Sequence, residues 1–318
     1  MKKRHIVLTI VGMVVLGLII FVLNFLYNNH PVKQDKNLKP EVQSTKWMES
    51  ISDDKLLSEI SIPGSHDSGS LIEGGIYEFG RDQNLNIANQ LKIGVRFFDL
   101  RLGFSNQELN IYHGFLDEKL SFISILTDFT DFLDTNPSET ILMCIKHEHG
   151  EDIHDKLKTD LNTLGSSLYT ENRIPTLGEV RGKIVLVRRY QDDENKGLNL
   201  YNNFADNTTF DLNNGFQAHV QDYYNLGNND NLENKYQAIV DCFEYSKASE
   251  DSTLVINFTS AYIPLIANTP LPKIQVVADY IHPRVKEYLE TQTSSYLGIV
   301  LFDFVNEELS SLVYQANF

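Results

Sequence analysis

Cysteine and tryptophan are scarce in this chain of 318 residues, which has two cysteines and one tryptophan. Two cysteines exclude the disulfide-rich scaffolds of small secreted domains, which need several bridges. Cys144 lies inside an apolar run, which favours a buried thiol, and a single disulfide between Cys144 and Cys242 stays open. No internal repeat is visible, so a repeat architecture is excluded.

Positive charge is also in short supply. The chain has 27 lysines and arginines against 43 aspartates and glutamates, a formal net charge of −16. Lys2, Lys3 and Arg4 stand at the start, so the remainder carries a net charge of −19. A body this acidic repels nucleic acid and gains no general attraction to anionic lipid. We therefore expect no nucleic-acid partner.

Residues 1–27 differ from the rest of the chain. Basic residues precede a nearly unbroken apolar run from Ile6 to Leu26, about the length of helix that the roughly 30 Å hydrocarbon core of a bilayer requires. No small-residue cleavage pattern follows, which favours an uncleaved signal anchor over a signal peptide. Either alternative exports the rest, so we expect an extracytoplasmic protein, anchored to the membrane or secreted if residues 1–27 are cleaved.

Residues 28–46 are polar, contain two prolines and lack a helical or strand period, which predicts a linker. From residue 47 to residue 318, apolar runs alternate with amphipathic patterns, and several runs are continuous, as in parallel strands covered on both faces. The candidate strands cover 57–62, 95–101, 109–113, 140–149, 183–189, 216–221, 253–259 and 296–304. The candidate helices cover 120–135, 151–164, 231–247 and 272–290.

About eight strands in roughly 270 residues, most with a helix between them, predict an α/β fold of the distorted (β/α)8 TIM-barrel type. The connection 101–109 is too short for a crossover helix, so we expect an antiparallel step there. Functional side chains of such barrels gather at the carboxyl ends of the strands. The polar residues at the candidate strand ends are His66, Asp99, Arg101, His113, Lys146, Glu148, Arg189, Asp222, Tyr224 and Asp303.

This set contains what acid–base phosphoryl transfer requires. An attacking hydroxyl needs a base, a leaving alkoxide needs an acid, and the phosphoryl oxygens need positive charge. His66 and His113 form the natural acid–base pair, because imidazole titrates near neutral pH. The planar guanidinium of Arg101 suits a phosphate. The carboxylates available to orient the imidazoles are Asp67, Asp99 and Asp303.

Several segments, in order from about Trp47 to the C-terminus, resemble bacterial phosphatidylinositol-specific phospholipases C, the phosphatidylinositol diacylglycerol-lyases of the X-domain phosphodiesterase family. The segments are TKWMESISDDKLLSEISIPGSHDSG, FFDLRLG, YHG, NPSETILMCIKHE, RGKIVLVRRY, VQDYY, VINFTS and FDFVNE. The resemblance implies a distorted barrel as the catalytic domain over 47–318, with no cofactor and no metal. It further implies that the inositol 2-hydroxyl attacks phosphorus, which gives diacylglycerol and inositol 1,2-cyclic phosphate, and that GPI anchors are a second substrate class.

The resemblance also implies roles for single residues. His66 resembles the general base, with Asp303 orienting it, and His113 resembles the general acid. Arg101 takes the place that stabilises the phosphoryl group. Asp67 pairs with the acid, and Asp99 supports the cluster. The residues that match inositol-binding positions are Lys146, Glu148, Arg189, Asp222 and Tyr224, with Arg188 as an alternative to its neighbour.

Calcium-dependent relatives carry an asparagine after the first histidine and acidic ligands near the second strand, where this chain has Asp67 and Arg101. We therefore expect no metal at the site. Two rival functions stay open: a metal-dependent barrel phosphodiesterase, and a non-catalytic cell-surface module that binds an inositol lipid or a glycan. The expected partner is phosphatidylinositol in a bilayer. We infer no protein partner and expect a monomer.

Two apolar stretches, 74–80 and 261–270, fall where loops are expected. Apolar side chains on an exposed loop are costly unless they meet a partner, which predicts contact with the bilayer near the site. A local core under each loop is the alternative. The residues concerned are Tyr77, Phe79, Tyr262, Ile263, Leu265 and Ile266.

Overall fold

The computed structural model describes residues 2–36, 38–39, 42–249, 252–265 and 272–318, with side chains from residue 11 onward except that of residue 42. The α-helices are α1 (Lys2–Tyr27), α2 (Val42–Thr45), α3 (Ile87–Lys92), α4 (Phe122–Thr135), α5 (His154–Asn162), α6 (Leu177–Val180), α7 (Leu232–Ala248), α8 (Ile274–Leu289) and α9 (Glu307–Gln315). The 3₁₀ helices are Trp47–Ser50, Leu57–Glu59, Gly75–Phe79, Gly165–Ser167 and Asn229–Asn231.

The first eight strands are β1 (His30–Pro31), β2 (Ile62–Ser65), β3 (Ile72–Glu73), β4 (Phe97–Ser105), β5 (Glu108–His113), β6 (Leu116–Ser121), β7 (Ile141–Gly150) and β8 (Leu168–Tyr169). The remaining strands are β9 (Ile184–Arg189), β10 (Leu198–Asn199), β11 (Thr209–Asn213), β12 (Gln217–Gln221), β13 (Thr253–Phe258), β14 (Ile263–Pro264), β15 (Pro272–Lys273) and β16 (Ile299–Phe302).

A single curled sheet dominates the fold. Its main path runs β10-β9-β7-β4-β2-β16-β13-β12-β11. All neighbours from β10 to β12 are parallel, and β11 pairs antiparallel with β12. The predicted α/β barrel class is therefore confirmed, in a form whose sheet curls as a half barrel. The expected antiparallel step is present, because β4 turns back into β5 with Leu102 opposite Ile111.

One predicted strand was wrong in position. The segment 57–62 begins as the 3₁₀ helix Leu57–Glu59, and the strand starts only at Ile62. The Glu59 carboxylate accepts a hydrogen bond of 2.8 Å from the backbone N–H of Leu56. This local capping bond holds the helical turn against the strand propensity of the apolar residues.

The helices pack on the outer face of the sheet. Ser121 caps α4 by accepting a hydrogen bond of 3.3 Å from the backbone N–H of Ser124. Apolar residues then recur every three or four positions, which gives the helix one buried face. The buried residues of α4 are Phe122, Ile125, Leu126, Phe129 and Leu133. They share a core with the outward-facing side chains of β4, Phe98 and Leu100.

The inner face of the sheet carries a second core, which includes Phe97, Cys144 and Val187. Both cysteines, Cys144 and Cys242, are free and buried. Because side chains alternate along a strand, the residues two positions after Phe97, Cys144 and Val187 also face inward. The strand exits above this core therefore carry Asp99, Lys146 and Arg189 on the inner side.

The N-terminal helix α1 presents its side chains to solvent from Val11 to Tyr27. Within the described residues, no helix is long and apolar enough to cross a membrane. Part of the segment 28–46 contacts the rest of the protein, since β1 pairs antiparallel with β3 and Ser44 is buried. The division into 1–27, 28–46 and 47–318 stays a prediction.

Candidate active site

A cavity of about 510 Å³ opens at the carboxyl ends of the parallel strands. It gathers most of the residues predicted for the site, although they lie on or directly after seven different strands. The predicted residues that line it are His66, Arg101, His113, Lys146, Glu148, Arg189, Asp222, Tyr224 and Asp303. Asp67 and Asp99 lie directly behind this lining, fully buried.

His66 leaves β2 at a sharp turn. Its backbone N–H donates to the carbonyl of Phe302, the last residue of β16. The next residue, Asp67, adopts a left-handed φ of 43°, a conformation that aspartate tolerates better than most residues do. The turn sends successive side chains in different directions. His66 therefore enters the cavity while the Asp67 carboxylate stays beneath it.

The imidazole of His66 is held at both nitrogens. Its Nδ1 lies 2.7 Å from Oδ1 of Asp303, and its Nε2 lies 2.6 Å from a terminal nitrogen of Arg101. A guanidinium has no acceptor, so Nε2 must accept this bond and the ring proton must sit on Nδ1. His66 thus presents a lone pair to the cavity, as a general base requires.

The Arg101 guanidinium contacts the side chains of His66, Asp67 and Asp99. It lies 3.1 Å from Asp67 Oδ2 and 3.4 Å from Asp99 Oδ2. Burial alone would raise the pKa of Asp99, but the positive charges of Arg101 and then Arg189 lower it to about 2. Asp99 is therefore an anion at neutral pH and fixes the arginine at the floor of the cavity.

His113 approaches from the opposite side, on the antiparallel strand β5. Its Nε2 lies 3.6 Å from Asp67 Oδ2. Burial, followed by the charge of Arg101, lowers the pKa of His113 to about 3. Burial raises the pKa of Asp67 to about 7, against the opposing effect of Arg101. In the site without substrate, a proton shared between His113 and Asp67 therefore resides on the Asp67 carboxyl group.

Asp82 is a site residue that the sequence analysis missed. It is fully buried, and neither carboxylate oxygen has a hydrogen-bond partner among the described residues. One oxygen lies 3.7 Å from Nδ1 of His66 and the other 3.6 Å from Nε2 of His113. Burial, and then the neighbouring Asp303, raises the pKa of Asp82 well above its usual range. Asp82 follows a loop and not a strand, so the strand-exit rule gave no signal for it.

The other half of the cavity is lined by charged and aromatic groups. Lys146 Nζ lies 2.7 Å from Glu148 Oε2. Although burial opposes ionisation, the charges of Arg101 and Lys146 lower the pKa of Glu148 to about 2. Tyr224 donates a hydrogen bond of 2.8 Å to Asp206, a cavity residue that was not predicted. This half offers several charged donors and acceptors to a polyol.

Arg189 and not Arg188 faces the cavity. The Arg189 guanidinium stacks over the ring of Phe204 at 4.0 Å and lies 3.9 Å from Asp222. Arg188 points to the outer side, where it donates to the carbonyl oxygens of Lys196 and Tyr190. The alternation along β9 separates the two side chains. Phe204 is a further cavity residue that the sequence did not indicate.

The sequence of this chain is similar to sequences of known proteins. Residues 55–190 match the family described as phosphatidylinositol-specific phospholipase C, X domain. The matched residues make up less than half of the chain. A 1-phosphatidylinositol phosphodiesterase of Listeria monocytogenes is 28% identical over 298 residues, covering 89% of this chain and 88% of the relative. One from Staphylococcus aureus is 28% identical over 314 residues, covering 91% of each.

Solved structures extend the likeness beyond the X domain. A mutant of the phosphatidylinositol-specific phospholipase C from S. aureus is 26% identical, covers 87% of this chain and 98% of that one, and has a TM-score of 0.77. The L. monocytogenes enzyme is 24% identical, with coverages of 86% and 99% and a TM-score of 0.69, which supports the fold alone. The resemblance inferred from the sequence motifs is confirmed.

The predicted membrane-contact residues differ in position and exposure, and among those that the structure describes only Tyr262 lines the cavity. Tyr77 is buried, with its hydroxyl donating to the carbonyl of Asp117, and Ile263 is also buried. Tyr77 packs in a small core with Ile72 and Leu116, and Ile263 packs in the large core of the outer face, as in the alternative of a local core under each loop. Phe79 and Tyr262 are half-buried, Leu265 is 40% exposed, and Ile266 lies outside the described residues.

Phe115 is a rim residue that the sequence analysis did not single out. Its side chain is 66% exposed. It directly follows Gly114, which lines the cavity. It lies in a two-residue hairpin turn with Gly114, where no hydrophobic period applies, so only the structure reveals this aromatic side chain at the mouth.

Proposed function

We propose that this protein cleaves phosphatidylinositol by attack of the inositol 2-hydroxyl on phosphorus, releasing diacylglycerol and inositol 1,2-cyclic phosphate. One observation carries the proposal. Two histidines on different strands enter one cavity, and Arg101 lies between them with a guanidinium that matches a phosphoryl group. The names of the curated relatives, 1-phosphatidylinositol phosphodiesterase, agree with this activity.

On the attacking side, Nε2 of His66 accepts the proton of the 2-hydroxyl as the new P–O bond forms. Asp303 stabilises the resulting imidazolium through its 2.7 Å contact with Nδ1. Arg101 donates to Nε2 in the free site. A bound phosphodiester offers that guanidinium a better acceptor, so substrate binding frees the lone pair of the base.

On the leaving side, the bond between phosphorus and the glycerol oxygen breaks, and His113 gives the alkoxide a proton. The lowered pKa of His113 is caused by burial and then by the charge of Arg101. An anionic phosphodiester offsets that charge and raises the pKa of the imidazole. Asp67, 3.6 Å away, then stabilises the protonated ring. Acid and base each contribute about 10²–10⁴-fold to the rate.

The inositol ring is bound by the polar half of the cavity. Carboxylates accept from its hydroxyls and cationic groups donate to them, which fixes the 2-hydroxyl in line with phosphorus. Glycosylated inositol lipids such as GPI anchors carry the same ring and are a second proposed substrate class. The residues assigned to this role are Lys146, Glu148, Arg189, Asp222 and Tyr224.

We propose that the reaction needs no metal, because Arg101 already supplies positive charge to Asp67 and Asp99. A metal-dependent phosphodiesterase is the second candidate. Two groups of ligand atoms within 4.8 Å favour it: His66, Asp82 and Asp303, and Asp67, Asp82 and His113. Turnover that persists in EDTA supports the first candidate. Turnover that EDTA abolishes and Mg²⁺ or Ca²⁺ restores supports the second.

Phosphorus NMR of phosphatidylinositol in detergent micelles tests the activity. The full chain should give a cyclic phosphodiester signal, and His66→Ala and His113→Ala should both lose it. His154→Ala, a histidine outside the cavity, is the matched control and should keep it. Absence of turnover by the unsubstituted chain, with retained binding to phosphatidylinositol, would favour the non-catalytic binding module.

We also propose that the protein works outside the cytoplasm, with 1–27 as a signal anchor or a cleaved signal and 28–46 as the linker to the catalytic domain. The mass of the chain recovered from cells decides between anchor and signal. A chain that retains residues 1–27 in the membrane fraction supports the anchor, whereas a shortened chain in the medium supports cleavage.

A further inference from the structure

We propose that the apolar surface of α1 is buried in the membrane that carries the substrate, and that the docked end of α1 holds the cavity mouth against that same membrane. The enzyme then acts on lipids of the membrane to which it is itself bound. This inference rests on the proposed function, since it takes a membrane lipid as substrate. It concerns the chain that retains residues 1–27, and it requires burial of α1 in lipid, whether or not the helix crosses the bilayer.

The distribution of apolar residues on α1 identifies lipid as the occupant. Residues 11–27 are all exposed. Four consecutive residues, Met13, Val14, Val15 and Leu16, are 61%, 59%, 51% and 57% exposed. Successive residues of a helix are rotated by about 100°, so these four cover all its sides. A protein groove covers one face of a helix. A helix that is apolar all round fits surroundings that are apolar on every side.

The C-terminal end of α1 is fixed to the body of the protein. The ring of Phe25 packs against that of Phe79 with centroids 6.1 Å apart. Just beyond the helix, β1 pairs with β3, and the backbone N–H of Val32 donates to the carbonyl of Leu71 at 3.0 Å. These contacts bind the chain on both sides of residues 28 and 29, so the helix end cannot swing freely.

Two glycines permit this close approach. Gly74 and Gly75 have positive φ values of 90° and 55°. A Cβ at Gly74 would lie 2.1 Å from the carbonyl oxygen of Asn28, and one at Gly75 would lie 1.9 Å from that of Phe25. Both distances are far inside van der Waals contact with backbone. The helix end therefore docks against a surface that only glycine can form.

The same segment leads directly into the site. The 3₁₀ helix Gly75–Phe79 ends at Gly80, where a Cβ would lie 2.4 Å from Nδ1 of His113. Two residues later, Asp82 lies against both histidines. Asp82 lies seven positions after Gly75, and a partly 3₁₀ segment of that length spans at most about 20 Å. The exposed Phe115 stands beside Gly114 at this rim, so the mouth and the helix end share one side of the molecule.

Depth-dependent quenching tests the geometry without any turnover. The single tryptophan, Trp47, is buried and stacked on Tyr314 at 5.6 Å, so it gives a constant background. The variant Phe115→Trp places an indole at the mouth. In vesicles of brominated phosphatidylcholine without phosphatidylinositol, we expect the full chain to float with the vesicles and to lose most of the fluorescence of the introduced indole.

Two glycine variants show whether docking causes the contact. Added to Phe115→Trp, Gly75→Val should restore most of that fluorescence while the chain still floats with the vesicles. Gly17→Val is the matched control, because no atom lies within 4 Å of a Cβ built there, and it should change nothing. A chain that stays in solution, or one that floats with no quenching of the indole, overturns the inference.

A turnover measurement separates this inference from the proposed function. The full chain reconstituted in vesicles that contain phosphatidylinositol should cleave that lipid about tenfold or more faster than lipid supplied in separate vesicles. Equal rates in the two arrangements contradict action on its own membrane. Quenching without any turnover of micellar phosphatidylinositol would instead defeat the proposed function alone.

Discussion

Asp303 lies 2.7 Å from Nδ1 of His66, and this contact determines which nitrogen of the imidazole faces the cavity. The carboxylate can only accept, so Nδ1 carries the ring proton and Nε2 is left with the lone pair that the proposed base needs. An asparagine at position 303 could donate as well as accept, which would stabilise the opposite tautomer. Substitution of Asp303 therefore tests whether the orientation of His66 matters for activity.

Asp303→Asn should lower kcat for micellar phosphatidylinositol by about 10²–10⁴-fold, because the ring is no longer held in the basic tautomer. KM should change little. Asp211→Asn is the matched control, since Asp211 contacts Nδ1 of His219 at the same 2.7 Å outside the cavity. A loss in Asp303→Asn no greater than in this control would contradict the assignment.

Arg101→Lys should lower kcat by about 10²–10³-fold, the range for loss of a positioned charge donor at a transition state. Lysine keeps the positive charge but cannot contact Asp67, Asp99 and the phosphoryl group with one planar fork. Steady-state kinetics measure the effect. Arg173→Lys, at an exposed ion pair, serves as the control. Full activity in Arg101→Lys would show that charge alone suffices.

Arg189→Gln and Arg188→Gln should differ in kind. The first removes a cavity cation and should raise KM with no large change in stability. The second removes buried hydrogen bonds to Lys196, Tyr190 and Asn195. It should lower the free energy of unfolding by about 1–3 kcal/mol and leave KM unchanged. A raised KM in Arg188→Gln, together with a loss of stability in Arg189→Gln, would mean that Arg188 and not Arg189 faces the cavity.

The free energy of unfolding should respond to pH through Asp82. Its folded-state pKa is raised by burial and then by Asp303, so the folded protein binds this proton more tightly than the unfolded chain does. The stabilisation is present in acid and is lost as pH rises from about 4, by at most about 1.4 kcal/mol per pH unit. Asparagine does not titrate, so in Asp82→Asn the free energy of unfolding should not fall through this group as the pH rises.

Urea unfolding of Asp82→Asn at pH 5 and pH 8 measures this effect. The difference in unfolding free energy between the variant and the unsubstituted chain should shift in favour of the variant at the higher pH. The exposed Asp54→Asn should show no such shift. A difference independent of pH would contradict the raised pKa of Asp82.

The loop residues Ile263 and Leu265 should separate stability from membrane binding. Ile263 is buried, so Ile263→Ser should lower the free energy of unfolding by about 3 kcal/mol, through lost packing and a buried hydroxyl. Leu265 is exposed, so Leu265→Ser should leave stability unchanged and weaken binding to phosphatidylcholine vesicles. The binding is measured by vesicle flotation of residues 28–318, so that α1 does not hide the effect. Equal flotation with and without Leu265→Ser would exclude Leu265 from the membrane contact.

Periodicity explains how much of this site the sequence could predict. Polar residues that end apolar runs, such as His66, Arg101 and Asp303, must meet at one edge of a parallel sheet, and the family motifs assign their roles. Alternation along β9 could not choose between Arg188 and Arg189 until the register with β7 was known. The segment 57–62 was misassigned because a local capping bond outweighs apolar composition.

Other residues needed the folded chain. Asp82, Phe204 and Asp206 come from loops, where no period relates a residue to its neighbours in space. Phe115 is an isolated aromatic residue in a hairpin turn. The burial of Tyr77 depends on Asp117, which is distant in sequence and meets it only after β6 has formed.

The contact between His66 and Asp303 joins residues 237 positions apart in the chain. Each stands at the exit of a strand, and those strands, β2 and β16, pair directly. Because β2 and β16 lie far apart in the chain, His66 acquires this contact only after the strands between them have been made. A fragment that ends before β16 therefore lacks the Asp303 carboxylate at Nδ1 of His66, and the proposed base would not be oriented in it.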